Sequence, residues 1–138
     1  MADYGNEARW SKSLLPAAVT IGTGRTAVRL EPVPLGRDLV VLIGGGDEHV
    51  GAVAVARPPA AGGPAGAVVV PPHKEGPLAD RCAAMLAAAA GCTCAVVAGI
   101  HQEDITQAEI AEILANVDEG ARRLASALAD RRRETPRS

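Results

Sequence analysis

LVVLIGGGDEHVGAVAVA, residues 39–56, sets two apolar runs on either side of a glycine-rich centre. Leu39–Ile43 is short and continuously apolar, the pattern of a buried central strand. His49–Ala56 is a second such run. Between them Gly44, Gly45, Gly46, Asp47 and Glu48 form a tight connection, and the simplest reading is a β-hairpin. The chain is therefore built on a sheet. The open question is whether the connection also offers a site to a phosphate, a metal or a cofactor.

Upstream, Thr20-Ile21 starts a strand and Thr26–Leu30 a second, with Pro32, Pro34 and Gly36 expected to break it. Downstream, Pro58–Gly66 reads as a flexible loop and Ala67–Val70 as a strand closed by Pro71-Pro72. Pro77 suits a first helical position and Gly91 the position just past a helix end. Leu78, Cys82, Met85, Leu86 and Ala89 share one face of the helix between them. Cys94–Ile100 is a further strand. Thr106 and Glu109 form a capping box, with Ile105 and Ile110 spaced as a hydrophobic staple. Ile110, Ile113, Leu114, Val117, Ala121, Leu124 and Leu128 follow at helical spacing. Strands first, then helix, strand and helix, give an α/β (α+β) domain. Its single mixed, largely antiparallel sheet carries two main helices. Residues 17–130 are expected to form the domain, 1–16 a loosely ordered arm and 131–138 a flexible basic tail.

Composition narrows the function. The chain has 138 residues and a formal net charge of -2, which suits one modest core and gives no nucleic-acid footprint. Arg131-Arg132-Arg133 is the only basic cluster. One Trp and one Tyr leave no stacking platform for single strands. No signal peptide and no membrane-spanning run is present. Three cysteines, Cys82, Cys92 and Cys94, do not make a disulfide framework, so a reduced, cytoplasmic protein is expected. The serines at 11, 13, 126 and 138 lie outside the loops that matter, which argues against a serine-nucleophile hydrolase.

Strand direction then gathers the histidines. If 39–43 runs upward, the glycine connection and His49 lie at the top edge. Strand 67–70 climbs, so His73 emerges at the top. Strand 95–100 also climbs, so His101 does too, while Cys92 and Cys94 stay at the bottom. Each histidine has acidic company: Asp47-Glu48, Glu75, and Glu103-Asp104. Imidazoles beside carboxylates are the materials of a divalent metal site. Both helices begin at the same edge, so their free N–H groups favour an anion there. Gly44–Gly46 can add N–H donors as a nest, and Lys74 a positive charge. The edge suits a phosphorylated ligand, with or without a metal. It is neither a dinucleotide fingerprint nor a phosphate-binding NTPase loop.

Three segments, Gly45-Gly46-Asp47-Glu48-His49-Val50-Gly51, Pro72-His73-Lys74-Glu75 and Ala98-Gly99-Ile100-His101, together resemble the LpdD-like proteins. These are small D-type subunits associated with gallate-type decarboxylases, and the resemblance covers about residues 38–118. It implies a non-catalytic role: binding prenylated flavin mononucleotide (or plain FMN) and supporting maturation of a UbiD-type decarboxylase. A UbiX-type prenyltransferase, which makes the cofactor, is a second implied partner. Carried onto this chain, Gly45, Gly46, His49, His73, Lys74 and His101 become candidate cofactor contacts. His49, His73, Glu75 and His101 become candidate metal ligands. Trp10 is available to fold over the flavin ring. Two other readings stand beside this one. A metal-dependent hydrolase would use the three histidines as ligands and Glu48 or Glu75 as general base. A purely structural decarboxylase subunit would use the histidines for folding alone. A small domain of this kind is also expected to form a homodimer.

Overall fold

A computed structural model describes residues 10–134. Its elements, in chain order, are β1 (Val19–Ile21), β2 (Val28–Leu35), β3 (Asp38–Gly46), β4 (Ala52–Ala56), β5 (Pro64–Val69), α1 (Gly76–Ala90), β6 (Cys94–His101) and α2 (Gln107–Glu134). The six strands form one sheet in the order β1-β2-β3-β6-β4-β5. Only β3 and β6 run parallel; every other neighbouring pair is antiparallel. The α+β class with a mixed, largely antiparallel sheet and two helices is what the sequence predicts.

Alternation explains the layering. Leu39, Val41 and Ile43 of β3 are buried, as are Cys94, Val96 and Ala98 of β6 and Ala52, Ala54 and Ala56 of β4. Residues two apart point to one face of a strand, so these side chains form a single surface. Both helices cover it: α1 lies over β4, β5 and β6, and α2 over β1 and β2. The alanines of β4 let α1 approach closely with Ala79, Ala83 and Ala87, all buried. Leu30, Leu86, Leu124 and Leu128 fill the space between the layers.

The helix ends follow their sequence signals. Pro77 lies in the first turn of α1, and Gly91 closes it in the left-handed conformation, donating its N–H to Ala87 O at 2.9 Å. At α2 the Thr106 N–H donates to Glu109 Oε1 at 3.0 Å, and the Glu109 N–H to Thr106 Oγ1 at 3.1 Å. That is the reciprocal capping box.

The hairpin is corrected. β3 and β4 are not neighbours, because β6 lies between them. The connection Asp47–Gly51 passes over the end of β6 instead. The Asp47 N–H donates to His101 O at 2.8 Å and the Gly51 N–H to Ala98 O at 2.9 Å. Two apolar runs around glycines read alike whether the chain turns back beside itself or skips one strand. The direction of travel is the same in both, so the top-edge argument survives.

β2 also runs on through Pro32 and Pro34, which pair with Val41 and Leu39 of β3. β1 covers β2 only from Val28 to Leu30. Past Leu30 that side of β2 is an open edge, where a residue without an N–H costs no ladder bond. Residues 1–9 of the expected arm and 135–138 of the expected tail lie outside the described residues. Trp10 and Leu15 are buried in the core, and α2 takes Arg131, Arg132 and Arg133 into its last turn. No helix among the described residues is long and apolar enough to cross a membrane.

Candidate functional site

His49 comes from the Asp47–Gly51 crossing, His73 from the β5–α1 connection and Glu75 from the residue before α1. The crossing lies so close to β6 that a side chain at Gly99 would collide with the His49 carbonyl. A Cβ at Gly51 would stand 2.7 Å from Glu75 Oε2 and 3.0 Å from His49 Nε2. Two glycines therefore make room for the cluster, one beneath its backbone and one beside its side chains.

The three side chains converge. His49 Nε2 lies 3.1 Å from His73 Nδ1 and 3.5 Å from Glu75 Oε1. The two imidazole rings lie with centroids 4.1 Å apart. One ligand atom from each of His49, His73 and Glu75 can be chosen so that all lie within 4.8 Å of one another. On the far side of its ring, His49 Nδ1 lies 3.1 Å from Asp47 O. A carbonyl can only accept, so this bond places the proton on Nδ1 and leaves the Nε2 lone pair facing the cluster.

These residues fit a divalent transition metal. Ligands about 2.0–2.1 Å from a tetrahedral ion sit roughly 3.4 Å from one another, close to the separations found. Two imidazoles and a carboxylate are a standard donor set for Zn²⁺ or Fe²⁺. Glu75 Oε2 is buried with no hydrogen-bond partner among the described residues. A buried carboxylate oxygen left unpaired is costly, and a cation at the cluster would relieve it.

His101 reaches the same edge but not the same cluster. Its ring centroid lies 6.5 Å from that of His49, and its Nε2 pairs with Glu103 Oε1 at 3.0 Å. It borders a cavity of about 310 Å³ beside the cluster. Leu78 of α1, Ile100 of β6, Ile105, and Ile110, Ile113 and Leu114 of α2 form the apolar wall, while Lys74, Glu75, His101 and Gln102 form the polar part. The two isoleucines spaced as a staple thus line a cavity wall. Gln102 Nε2 donates to Arg25 O at 2.7 Å, and the Arg25 guanidinium binds Glu109 Oε2 and Glu103 O. This clasp fixes the 102–106 loop at the rim. Nothing in the local sequence around Arg25 signals it, since its partners are some eighty positions away.

Other expected contributors take different places. Gly44, Gly45 and Gly46 are the last residues of β3, in register with Gly99, Ile100 and His101 of β6. They serve the ladder and close backbone approach, not an open nest of N–H groups. Lys74 is exposed and lies at the cavity rim. Trp10 packs beside Cys92, at the opposite edge of the sheet, so it does not cover the site. Cys82, Cys92 and Cys94 are free thiols, Cys82 on the buried face of α1 and Cys92 and Cys94 at the end of β6 opposite to His101. Burial pushes Cys82 and Cys92 up to about 11 and Cys94 to about 12. Glu48 faces Arg29, 3.8 Å away. Of the two carboxylates the hydrolase reading would use as base, Glu75 stands inside the cluster and Glu48 beside Arg29.

A fixed His–His–Glu cluster next to an apolar cavity, on an edge held by two helices and a strand crossing, defines a candidate ligand-binding domain. The chain belongs to the prenylated flavin chaperone LpdD-like family, whose model matches residues 22–129. No curated protein matches it in sequence. Among solved structures it is similar in fold to a chain of "Crystal Structure of a Novel Chaperone Complex for Yeast 20S Proteasome Assembly". That match has a TM-score of 0.56 and 12% identity, over 80% of this chain and 94% of the other.

Proposed function

We propose that this protein binds prenylated FMN and delivers it to a UbiD-type decarboxylase, with a divalent metal held by His49, His73 and Glu75. The unpartnered, buried Oε2 of half-buried Glu75, whose other oxygen stands 3.5 Å from His49 Nε2, is the observation that carries the metal. The family carries the flavin. A metal bound by three side chains keeps positions open, and a phosphate oxygen is a suitable ligand for one of them. Lys74 and the N-terminus of α1 add positive potential on the same side. The aliphatic cavity beside His101 suits the ring end, which carries the extra hydrocarbon of the prenylated form.

The proposal makes the protein a carrier. Its residues bind and orient the ligand and shield its ring from water, and none of them is asked to move a proton. The test is transfer. The protein loaded anaerobically with prenylated FMN and metal is mixed with an apo UbiD-type decarboxylase, and decarboxylation is followed. Activation faster than by the same amount of free cofactor supports delivery. Equal rates with and without the protein would refute it.

A further inference from the structure

The Gly44-Gly45-Gly46 run forms no open nest, and each of its members receives a neighbour instead. A Cβ on Gly44 would meet the Glu48 side chain, one on Gly45 would stand 2.8 Å from Ala27 O, and one on Gly46 2.6 Å from Gln102 Nε2. The last two neighbours belong to one assembly. The turn Gly24–Thr26, just before β2, lies against the end of β3. The Gln102 side chain crosses Gly46 to donate to Arg25 O in that turn at 2.7 Å. The same turn is tied to α2: Thr26 Oγ1 donates to Glu112 Oε1 at 2.8 Å, and Asn116 Nδ2 to Thr26 O at 3.0 Å. Arg25 reaches outward from this base. Its Nε donates to Glu109 Oε2 at 2.8 Å and its Nη2 to Glu103 O at 2.6 Å. Glu103 is held at its other end too, its carboxylate 3.0 Å from His101 Nε2.

The loop held in this way is part of the cavity. Gln102 and Ile105 line it beside His101. Burial does little to fix the loop, since every residue from Glu103 to Thr106 is exposed. Asp104 also turns in the left-handed conformation, at φ 51°, which costs a residue with a side chain. An isolated exposed ion pair contributes little. A guanidinium that spans a carboxylate on a helix and a carbonyl on a loop does more, because its rigid fork holds two elements at once. We propose that Arg25 is a positioning residue for the ligand: it pins the 102–106 loop as the outer wall of the cavity and so slows the escape of bound prenylated flavin. This rests on the carrier function proposed above. A carrier has to keep its ligand between donor and acceptor, and residence is set by the dissociation rate. The glycine run then serves the ligand indirectly, by letting Gln102 and the Gly24–Thr26 turn close over the end of β3.

Release of prenylated FMN from the metal-loaded full chain tests this, followed anaerobically by flavin absorbance after rapid dilution. Wild type is compared with Arg25→Ala and Glu109→Gln; glutamine at 109 keeps the capping box and loses the ion pair. Arg25→Ala is expected to release the ligand at least ~10-fold faster, the worth of one hydrogen bond to a charged group. Glu109→Gln changes the rate in the same direction. Amide exchange across residues 102–106 rises in both variants, and metal affinity, measured without flavin, stays within ~3-fold of wild type. Unchanged release from Arg25→Ala, or equal losses of metal and flavin in both variants, overturns the inference and leaves the carrier reading in place. A wild type that binds no prenylated FMN refutes the carrier reading and this inference with it.

Discussion

The carbonyl of His49 occupies the space where a side chain on Gly99 would begin. This one contact joins fold to site. It lets the connection between β3 and β4 lie flat across the end of β6, and so it brings His49 to His73 and Glu75. A crossing held further off would lift the imidazole away from its partners.

Gly99→Ala is therefore expected to destabilise the protein by about 2–3 kcal/mol, in the range of core overpacking. It should also weaken metal binding, because relief of the clash moves the His49 backbone. Thermal unfolding and metal titration of the same variant check both effects. Loss of stability with unchanged metal affinity would separate the crossing from the site.

His73→Ala and Glu75→Gln each remove a ligand from a site already partly open to solvent. Metal affinity should drop at least ~100-fold, beyond the loss typical of an outer partner. Stability should change by less than ~1 kcal/mol, since neither side chain belongs to the apolar core. Anaerobic calorimetry with a divalent metal and chemical denaturation measure the two quantities.

His101→Ala should behave differently. His101 pairs with Glu103 and stands apart from the cluster, so metal affinity should stay within ~3-fold of wild type, a surface-scale effect. Flavin affinity should fall, because the imidazole borders the cavity. Equal losses of metal and flavin would place His101 among the ligands.

The thiols predict a pH effect on stability. Cys82 is held up to about 11 and Cys94 to about 12 by burial. In the unfolded chain both ionise near their ordinary value, about 8.5. Between these limits the unfolded state has lost protons that the native state keeps, so stability falls as pH rises. It is fully present below about pH 8 and declines progressively above about pH 9. Urea midpoints measured across that range should decrease, and serine at both positions should flatten the slope.

Much of this arrangement was legible in the sequence, and the reasons differ from residue to residue. The three histidines could be placed on one edge because strand direction alternates whatever the lateral order. Thr106 and Glu109 announced their cap because capping is local. The position of β6 between β3 and β4 was not legible, since lateral order is decided by packing over long sequence separations. Pro32 and Pro34 looked like strand breakers because the short reach of β1, which opens that edge, is invisible in composition. Trp10 was mistaken for a lid because burial near Cys92 depends on the far edge of the sheet. The division between His101 and the His49–His73–Glu75 cluster rests on a few ångströms, which spacing along a chain does not resolve.

The central claim is that a metal-bearing edge selects a phosphorylated, prenylated flavin. Anaerobic titration with prenylated FMN and with FMN, each with and without divalent metal, tests it most directly. The account predicts tighter binding of the prenylated form, strengthened by metal, with that gain lost in His73→Ala. Failure of both flavins to bind, with metal present, would contradict it.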